Sequence, residues 1–447
     1  MQKNTQNLSY CIKTYGCQMN ENDSEKMAGI LRSLGYHEET DENKAGLVIL
    51  NTCSVRENAD QKVLGIIGSY KTVKKNNPDL ILAVCGCMMQ QVEIVTSIKS
   101  KFPQVDLIFG THNIHRLPEF LNNYSLNGNR MIEVWEDSDT IIEDLPIQHK
   151  YPFKAFVTIM NGCNNFCTYC IVPYTRGREV SRRPEKIIEE VQALADSGCL
   201  EITLLGQNVN SYGNDLDENV TFAALLKDLS QVEGIKRIRF MTSHPKDLTD
   251  EVIETIAKYD KICNYIHLPI QSGSSRILKK MNRKYSREDI INRVEKIRQL
   301  IPGVSITTDI IVGFPGETDE DHQDTLDIIK TCRFDSAFTF MYSIRTGTPA
   351  ATMGDQIPDE IKHQRLNDCL EILRDLSYKC NAPYQDQIVK VLAEETSKNN
   401  PNRLSGRTET GRLVNFSADK EAIGKIVDVK ITTTKSFSLD GYMIEGE

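Results

Sequence analysis

The residues of this chain with the strongest claim to chemistry are Cys163, Cys167 and Cys170, in the run Cys163-Asn164-Asn165-Phe166-Cys167-Thr168-Tyr169-Cys170. Three thiols in so short a segment can wrap one metal centre, and soft thiolate ligands favour zinc or an iron–sulfur cluster. A structural zinc site is closed and needs a fourth close ligand. No Cys or His follows nearby, the next cysteine being Cys199. Three ligands would leave one iron of a 4Fe-4S cluster open to a substrate or cofactor. By spacing alone, a structural metal site and a catalytic cluster are equally good readings.

A second group of cysteines recurs at one structural position. Cys17 follows a first expected strand, Cys53 a second and Cys87 a third, with Cys85 as a competitor for the last place. Loops after the carboxyl ends of strands in an open α/β sheet share one rim, so residues far apart in sequence converge there. Each of these cysteines taken singly reads better as an inert core residue; three at equivalent positions read as a second cluster site. Cys199, Cys263, Cys332, Cys369 and Cys380 stand singly in apolar or helical contexts and are expected as small buried hydrophobes. With 13 cysteines, an odd number, a disulfide framework is the weaker reading.

The elements that must hold these groups fall into three segments. Residues 1–125 alternate short strands (Cys11–Tyr15, Leu47–Leu50, Ile81–Val84, Asp106–Phe109) with helices. One helix carries Met27, Ile30, Leu31 and Leu34 on a single face, and another carries Ile114, Leu117, Phe120 and Leu121. The expectation is a small parallel α/β sheet. Residues 126–150 are polar and are expected as a linker or strap. Over 151–380 six strands (Phe156–Met160, Glu201–Leu205, Arg237–Phe240, Tyr265–Leu268, Ser305–Ile311, Ala337–Tyr342) alternate with amphipathic helices such as Pro184–Ala195. A helix over about 358–379 follows. That pattern predicts a partial or complete βα barrel, with the cysteine triplet on the loop after its first strand, where barrel chemistry is placed. Residues 383–447 change to short β runs punctuated by glycine, the pattern of a small all-β barrel.

With these placements the triplet resembles that of the radical S-adenosylmethionine (SAM) superfamily. The resemblance implies that Cys163, Cys167 and Cys170 ligate a 4Fe-4S cluster whose open iron is chelated by SAM. One-electron reduction then splits SAM to methionine and a 5′-deoxyadenosyl radical. It implies that Tyr169 lies near the adenine, and that Gln207 and Asn208, at the end of the second barrel strand, contact SAM. Asp309 and Gly313, in Asp309-Ile310-Ile311-Val312-Gly313-Phe314-Pro315-Gly316-Glu317, match the fifth-strand segment of that superfamily; a buried strand ending in a proline turn explains them without any ligand. The runs Thr14-Tyr15-Gly16-Cys17-Gln18-Met19-Asn20-Glu21-Asn22-Asp23-Ser24-Glu25, Asn51-Thr52-Cys53-Ser54-Val55-Arg56 and Gly86-Cys87 are similar to those of the methylthiotransferase family. This similarity covers essentially the whole chain. It implies that Cys17, Cys53 and Cys87 hold an auxiliary 4Fe-4S cluster that carries sulfur, that Cys85 is spare, and that the last segment is an RNA-binding TRAM domain.

The flanks of the cysteines are most similar to the branch acting on tRNA, where a methylthio group goes to carbon 2 of N6-dimethylallyladenosine next to the anticodon. Two other branches act on threonylcarbamoyl-adenosine or on a ribosomal-protein aspartate. The resemblance implies the tRNA anticodon stem-loop as partner, a flavodoxin or ferredoxin as reductant, and a monomer. An unactivated aromatic C–H lacks usable acidity, which is why radical chemistry replaces a general base.

Net charge works against nucleic acid in general. The chain carries −9, so RNA contact has to come from local patches. Arg176, Arg178, Arg182 and Arg183 are candidates for anticodon-loop phosphates, and Arg403, Arg407 and Arg412 for a patch on the last segment. Residues 384–447 hold nine Lys and Arg against ten Asp and Glu, so that segment is not basic overall. No run of about 18 apolar residues exists to span a membrane, and the polar start MQKNTQNLSY lacks a signal peptide's apolar middle. A cytoplasmic enzyme is expected.

Overall fold

Parallel strands flanked by helices make up most of the chain, whose computed structural model describes residues 8–54, 59–135, 141–216, 220–398 and 400–444. Strands β1 (Ser9–Thr14), β2 (His37–Glu38), β3 (Leu47–Thr52), β4 (Ile81–Gly86), β5 (Leu107–Phe109) and β6 (Met131–Glu133) form one sheet in the order β2-β1-β3-β4-β5-β6. Every neighbouring pair is parallel. Helices α1 (Gln18–Ser33), α2 (Ala59–Asn76), α3 (Val92–Lys101) and α4 (Leu117–Asn127) cover it. β3 is buried at all six positions because helices pack on both faces. On α1 the expected face is real: Met27, Ile30 and Leu31 are buried, each stabilising by about 1.5–3 kcal/mol. Leu34, expected on that face, is exposed at the helix end.

The segment read as a linker from 126 is structured at its start. α4 runs to Asn127, and Met131–Glu133 adds a sixth parallel strand beside β5. Residues 136–140 of that segment, and Val55 and Arg56 of the second cysteine motif, lie outside the described residues. Helix α3 and strand β2 were not foreseen.

The second unit consists of β7 (Lys154–Thr158), β8 (Met160–Asn161), β9 (Val180–Ser181), β10 (Glu201–Leu205), β11 (Arg237–Phe240), β12 (Tyr265–His267), β13 (Ser305–Val312) and β14 (Ser336–Met341). β7, β10 and β11 make one parallel three-stranded sheet and β12, β13 and β14 another. A parallel bridge from Ile238 to Ile262 joins them, giving a six-stranded partial barrel. Its helices enclose one large core. The long helix Asp359–Asn381 packs on β14. A short antiparallel pairing of β8 with β9 ties off the loop that carries the cysteine triplet.

The last unit is a closed antiparallel-rich barrel of β15 (Ile388–Thr396), β16 (Leu404–Thr408), β17 (Leu413–Ser417), β18 (Ile426–Thr434) and β19 (Leu439–Met443). It closes the lower end of the partial barrel. Arg237 donates to the carbonyl oxygens of Arg407 and Lys390 at 3.0 Å each. Arg239 donates to those of Glu409 (2.8 Å) and Thr408 (2.6 Å), and its Nε lies 3.0 Å from the buried Glu201 carboxylate. Gly411 sits directly on the Tyr265 ring, where a Cβ would come within 2.8 Å.

Candidate active site

The triplet loop leaves β8 through Gly162, whose positive φ brings its α-carbon against Arg178; a Cβ there would lie 1.8 Å from the Arg178 carbonyl oxygen. The Cys163 amide then bonds Gly177 across the loop base (3.1 Å), and Phe166 adopts φ 46° between Asn165 and Cys167. The Cys170 amide donates to the Cys167 carbonyl at 2.9 Å, which tightens the turn between them. Cys167 is buried, and the guanidinium of Arg283 donates to its Sγ at 3.3 Å. Burial pushes the Cys163 thiol up to about 11 and the Cys170 thiol up to about 12, so both are protonated until a metal displaces the proton. Arg283, 8 % exposed, escaped sequence reading because it lies over a hundred residues from the triplet.

Tyr169 packs beside Ile277, Met281, Phe314, Tyr342 and Ala350 at the barrel mouth. The neighbouring strand ends carry buried polar atoms without a hydrogen-bond partner among the described residues: Asn161 Oδ1, Gln207 Oε1, Asn208 Oδ1, Ser243 Oγ and His244 Nε2. Leaving a buried acceptor unmet costs about 1–3 kcal/mol, so a cluster of them marks a place built for a polar ligand. Gln207 and Asn208 therefore fit a cofactor bearing an ammonium group. Asp309 is half-buried, with its carboxylate 3.4 Å from His267 Nε2. Gly313 is accounted for otherwise: a Cβ would lie 2.3 Å from Lys362 Cγ, its amide bonds Glu317 (3.0 Å), and its φ is 71°. Close packing against the helix Asp359–Asn381 requires that glycine without any ligand.

On the rim of the first sheet, Cys17 is the N-cap of α1 in extended conformation, with no side-chain cap bond. The unsatisfied N–H groups of the first helical turn thus face the rim and favour negative charge there. Gly16 (φ 123°) lets Cys53 approach: a Cβ would lie 2.8 Å from the Cys53 Sγ. Asn20 gathers the set, since its Oδ1 lies 3.7 Å from Cys17 Sγ and 3.8 Å from Cys87 Sγ. Its Nδ2 donates to the carbonyls of Tyr15 and Thr52. Cys85 points away, toward Met27 Sδ at 3.7 Å in the sheet's core. Burial pushes the Cys87 thiol up to about 12, a rise the adjacent Arg176 opposes and the nearby Cys17 and Cys53 add to. Among the described residues no group of three or more Cys, His, Asp or Glu is placed to hold a metal ion. Each set has a guanidinium donating to one of its sulfurs, Arg283 to Cys167 and Arg176 to Cys87, an environment that favours thiolate over thiol.

The two sets adjoin. Six residues after Cys170, Arg176 reaches across to the first unit, where its Nε donates to Cys87 Sγ (3.2 Å) and its Nη2 to Asn20 Oδ1 (3.1 Å) and Asp23 Oδ2 (2.7 Å). It is 6 % exposed. This corrects its reading as a phosphate contact. Arg182 is likewise consumed, by Glu143, Glu190 and the Thr158 carbonyl. Arg178 and Arg183 remain exposed, with Arg178 over the Phe166 ring at 4.4 Å. On the last unit Arg412 is partly buried and engaged by Asp335, Asn381 and the Tyr384 ring, and Arg403 is bonded to Asn415 and Asp440. Only Arg407 of the three is exposed, so they make no common patch. The single cysteines Cys199, Cys332 and Cys369 are buried in the apolar core and Cys380 is partly buried, whereas Cys263, also buried, lies beside the charged Arg239, Glu201 and Arg237 rather than in an apolar context.

Comparison with known proteins identifies the three segments. Residues 157–329 match the Radical SAM superfamily, residues 9–110 an uncharacterized protein family, UPF0004, and residues 384–444 the TRAM domain. The chain is 58 % identical over 433 residues (97 % of this chain, 96 % of the other) to a tRNA-2-methylthio-N(6)-dimethylallyladenosine synthase of Clostridium tetani. It is 52 % identical over 445 residues (100 % of each) to one from Clostridium perfringens. Among solved structures, a radical S-adenosylmethionine methyltransferase, TsrM, from Kitasatospora setae superposes with TM-score 0.55 at 15 % identity, covering 77 % of this chain and 74 % of that one. That likeness concerns the fold.

Proposed function

Because the chain belongs to the family of tRNA-2-methylthio-N(6)-dimethylallyladenosine synthases, we propose that it places a methylthio group on carbon 2 of N6-dimethylallyladenosine beside the anticodon of tRNA. Action on threonylcarbamoyl-adenosine or a ribosomal-protein aspartate is the less favoured reading. The observation that carries the proposal is the buried side chain of Arg176, six residues after the triplet, bonded to Cys87 and Asp23 at the other cysteine set. In this reading Cys163, Cys167 and Cys170 hold one 4Fe-4S cluster, with SAM on its open iron, and Cys17, Cys53 and Cys87 hold a second. When bound, the first cluster with SAM supplies radical chemistry able to activate an aromatic C–H, and the second supplies sulfur.

The chain's own part is orientation and electrostatics. Arg283 donates to Cys167 Sγ and Arg176 to Cys87 Sγ, and such bonds favour the more electron-rich form of a sulfur ligand. Gln207 and Asn208 offer unmet acceptor oxygens to the SAM ammonium. Tyr169 offers an aromatic edge at the mouth. The TRAM barrel, clamped by Arg237 and Arg239, packs on the opposite end. A single-stranded loop base must be splayed from its stack to reach such a mouth. The electron comes from a small carrier such as a flavodoxin or ferredoxin. No helix among the described residues is long and apolar enough to cross a membrane, and we assign the enzyme to the cytoplasm as a monomer.

The test is anaerobic reconstitution with a prenylated anticodon stem-loop. Wild type should hold two clusters' worth of iron and sulfide and yield the methylthiolated nucleoside. Cys163→Ala/Cys167→Ala/Cys170→Ala should lose half the iron and all SAM cleavage while keeping the other cluster. A triple variant that still cleaves SAM, or that loses all its iron, overturns the assignment.

A further inference from the structure

Between the cysteine mouth and the TRAM barrel, the edge strand of the partial barrel presents two exposed phenylalanines. On β14 the odd positions Ala337 and Met341 pack into the helix-side core. The pleat therefore turns Phe338 and Phe340 to the barrel interior, where they are 56 % and 45 % exposed. Register confirms the placement, since Phe338 pairs with Asp309 and Phe340 with Ile311. The Phe338 ring meets the edge of the His267 ring at 6.1 Å, and His267 bonds Thr307 at 3.0 Å. Ile311 packs on the cluster that contains Tyr169, the residue before Cys170. The aromatic pair thus begins where the packing around the cysteine triplet ends. β14 is also an edge strand, so the pair borders the open side of the barrel.

Two phenylalanines on one strand face, next to a reaction centre and without a protein partner covering them, are costly unless something apolar does so. We propose that Phe338 and Phe340 form the surface that receives the five-carbon N6 substituent of the target adenosine and so make the enzyme select prenylated tRNA. This rests on the function proposed above, and three features favour that occupant. An anticodon loop presents charged phosphates and polar base edges, and the prenyl group is its one aliphatic feature. The open edge admits an extruded nucleotide from the side. The Asp309 carboxylate, beside Phe338 and partly exposed, offers an acceptor to the N6–H that adjoins the prenyl group.

The experiment measures binding without turnover. Reconstituted full-length protein is titrated, with no reductant present, into fluorescein-labelled anticodon stem-loops carrying either N6-dimethylallyladenosine or adenosine. Wild type should prefer the prenylated loop by about 10- to 100-fold, the range expected for burying a few methylene-sized groups. Phe338→Ala and Phe340→Ala should each shrink that preference, and the double variant should bring it close to unity. Affinity for the unprenylated loop, iron content and the spectra of both clusters should stay unchanged. Phe338→Leu/Phe340→Leu should restore most of the preference. Equal loss for both loops means that the pair stacks on the base rather than holding the prenyl group, and it overturns the inference, as does a wild type that binds both loops alike. Methylthio product from wild type, measured in parallel on the prenylated loop, tests the underlying function separately.

Discussion

Replacing Arg176 by Met removes the charge that joins the first unit to the barrel and keeps most of the side chain's bulk. Asp23 is left with its carboxylate 8 % exposed and without its hydrogen-bonded cation, Lys26 being the charged neighbour that remains. Breaking a buried ion pair by deleting one partner costs about 3–5 kcal/mol, chiefly for the stranded charge. The lost bonds to Asn20 and Cys87 act in the same direction. With a urea slope of about 2 kcal/mol per M, the unfolding midpoint of the first unit should fall by about 2 M. The chain's single tryptophan, Trp135, makes this measurable. Its indole N–H donates to Glu133 at 2.9 Å and its ring packs at 5.4 Å from His115, so its fluorescence reports on the first unit even when the other units unfold separately. The apo chain under reducing conditions is the right sample, because a bound cluster would add its own stabilisation. Asp23→Asn/Arg176→Met removes both charges and should recover most of the loss. A midpoint for Arg176→Met within about 0.5 M of wild type would refute the claim that this pair is buried and coupled, and a double variant no better than the single would refute the stranded-charge explanation.

Two further outcomes follow from other buried groups. Arg239→Met should loosen the TRAM barrel by removing its bonds to the Glu409 and Thr408 carbonyls and leaving Glu201 with a poorer partner. Limited proteolysis near Asn381 should then speed up and KM for tRNA should rise more than kcat falls; unchanged proteolysis would show that the clamp does not hold the barrel. His244 is held neutral by burial, with Arg283 and Lys246 adding to the effect, and its pKa is lowered to about 2. Its folded-state value lies below the ordinary histidine value near 6.5, so its contribution is complete above that pH and is lost as pH falls below it, at up to about 1.4 kcal/mol per pH unit. The apo chain should therefore lose stability between pH 6.5 and 5 more steeply than His244→Gln does, and parallel urea midpoints for the two proteins would show that His244 is not the titrating group.

Much of this architecture could be read from periodicity, because long elements repeat their apolar residues often enough to be seen. The six barrel strands and α1 are of that kind. Met131–Glu133 was not, since a three-residue edge strand in a polar stretch offers no alternation to detect. β16 escaped likewise: Leu-Ser-Gly-Arg-Thr has few apolar residues, because Gly406 lies against the Leu392 carbonyl where a Cβ would come within 2.1 Å. The cysteine sets were legible through spacing and resemblance. What lay out of reach was which charges face one another.

Arg176 shows why, and also where a signal did exist. Read along the chain, it is one of four arginines after the triplet, and nothing in that run separates the two that are buried from the two that are exposed. The signal lay on its partner helix. Met27, Ile30 and Leu31 fix the buried face of α1, and stepping back along that helix by threes and fours reaches Asp23 and Asn20. Both are buried, at 6 % and 0 %. A helix face that is apolar over its later turns and turns to Asp and Asn in its first turns, beside a cysteine, cannot be packed against hydrocarbon there. The carboxylate needs a cation and the amide needs donors and acceptors, or each costs the kilocalories of an unmet buried group. That face therefore predicts a buried cation arriving from elsewhere in the fold. The cation arrives on the loop six residues after Cys170, and the carboxylate that demands it stands six residues after Cys17. The same electrostatic requirement that buries Arg176 thus ties the segment after the triplet to the first unit beside Cys87.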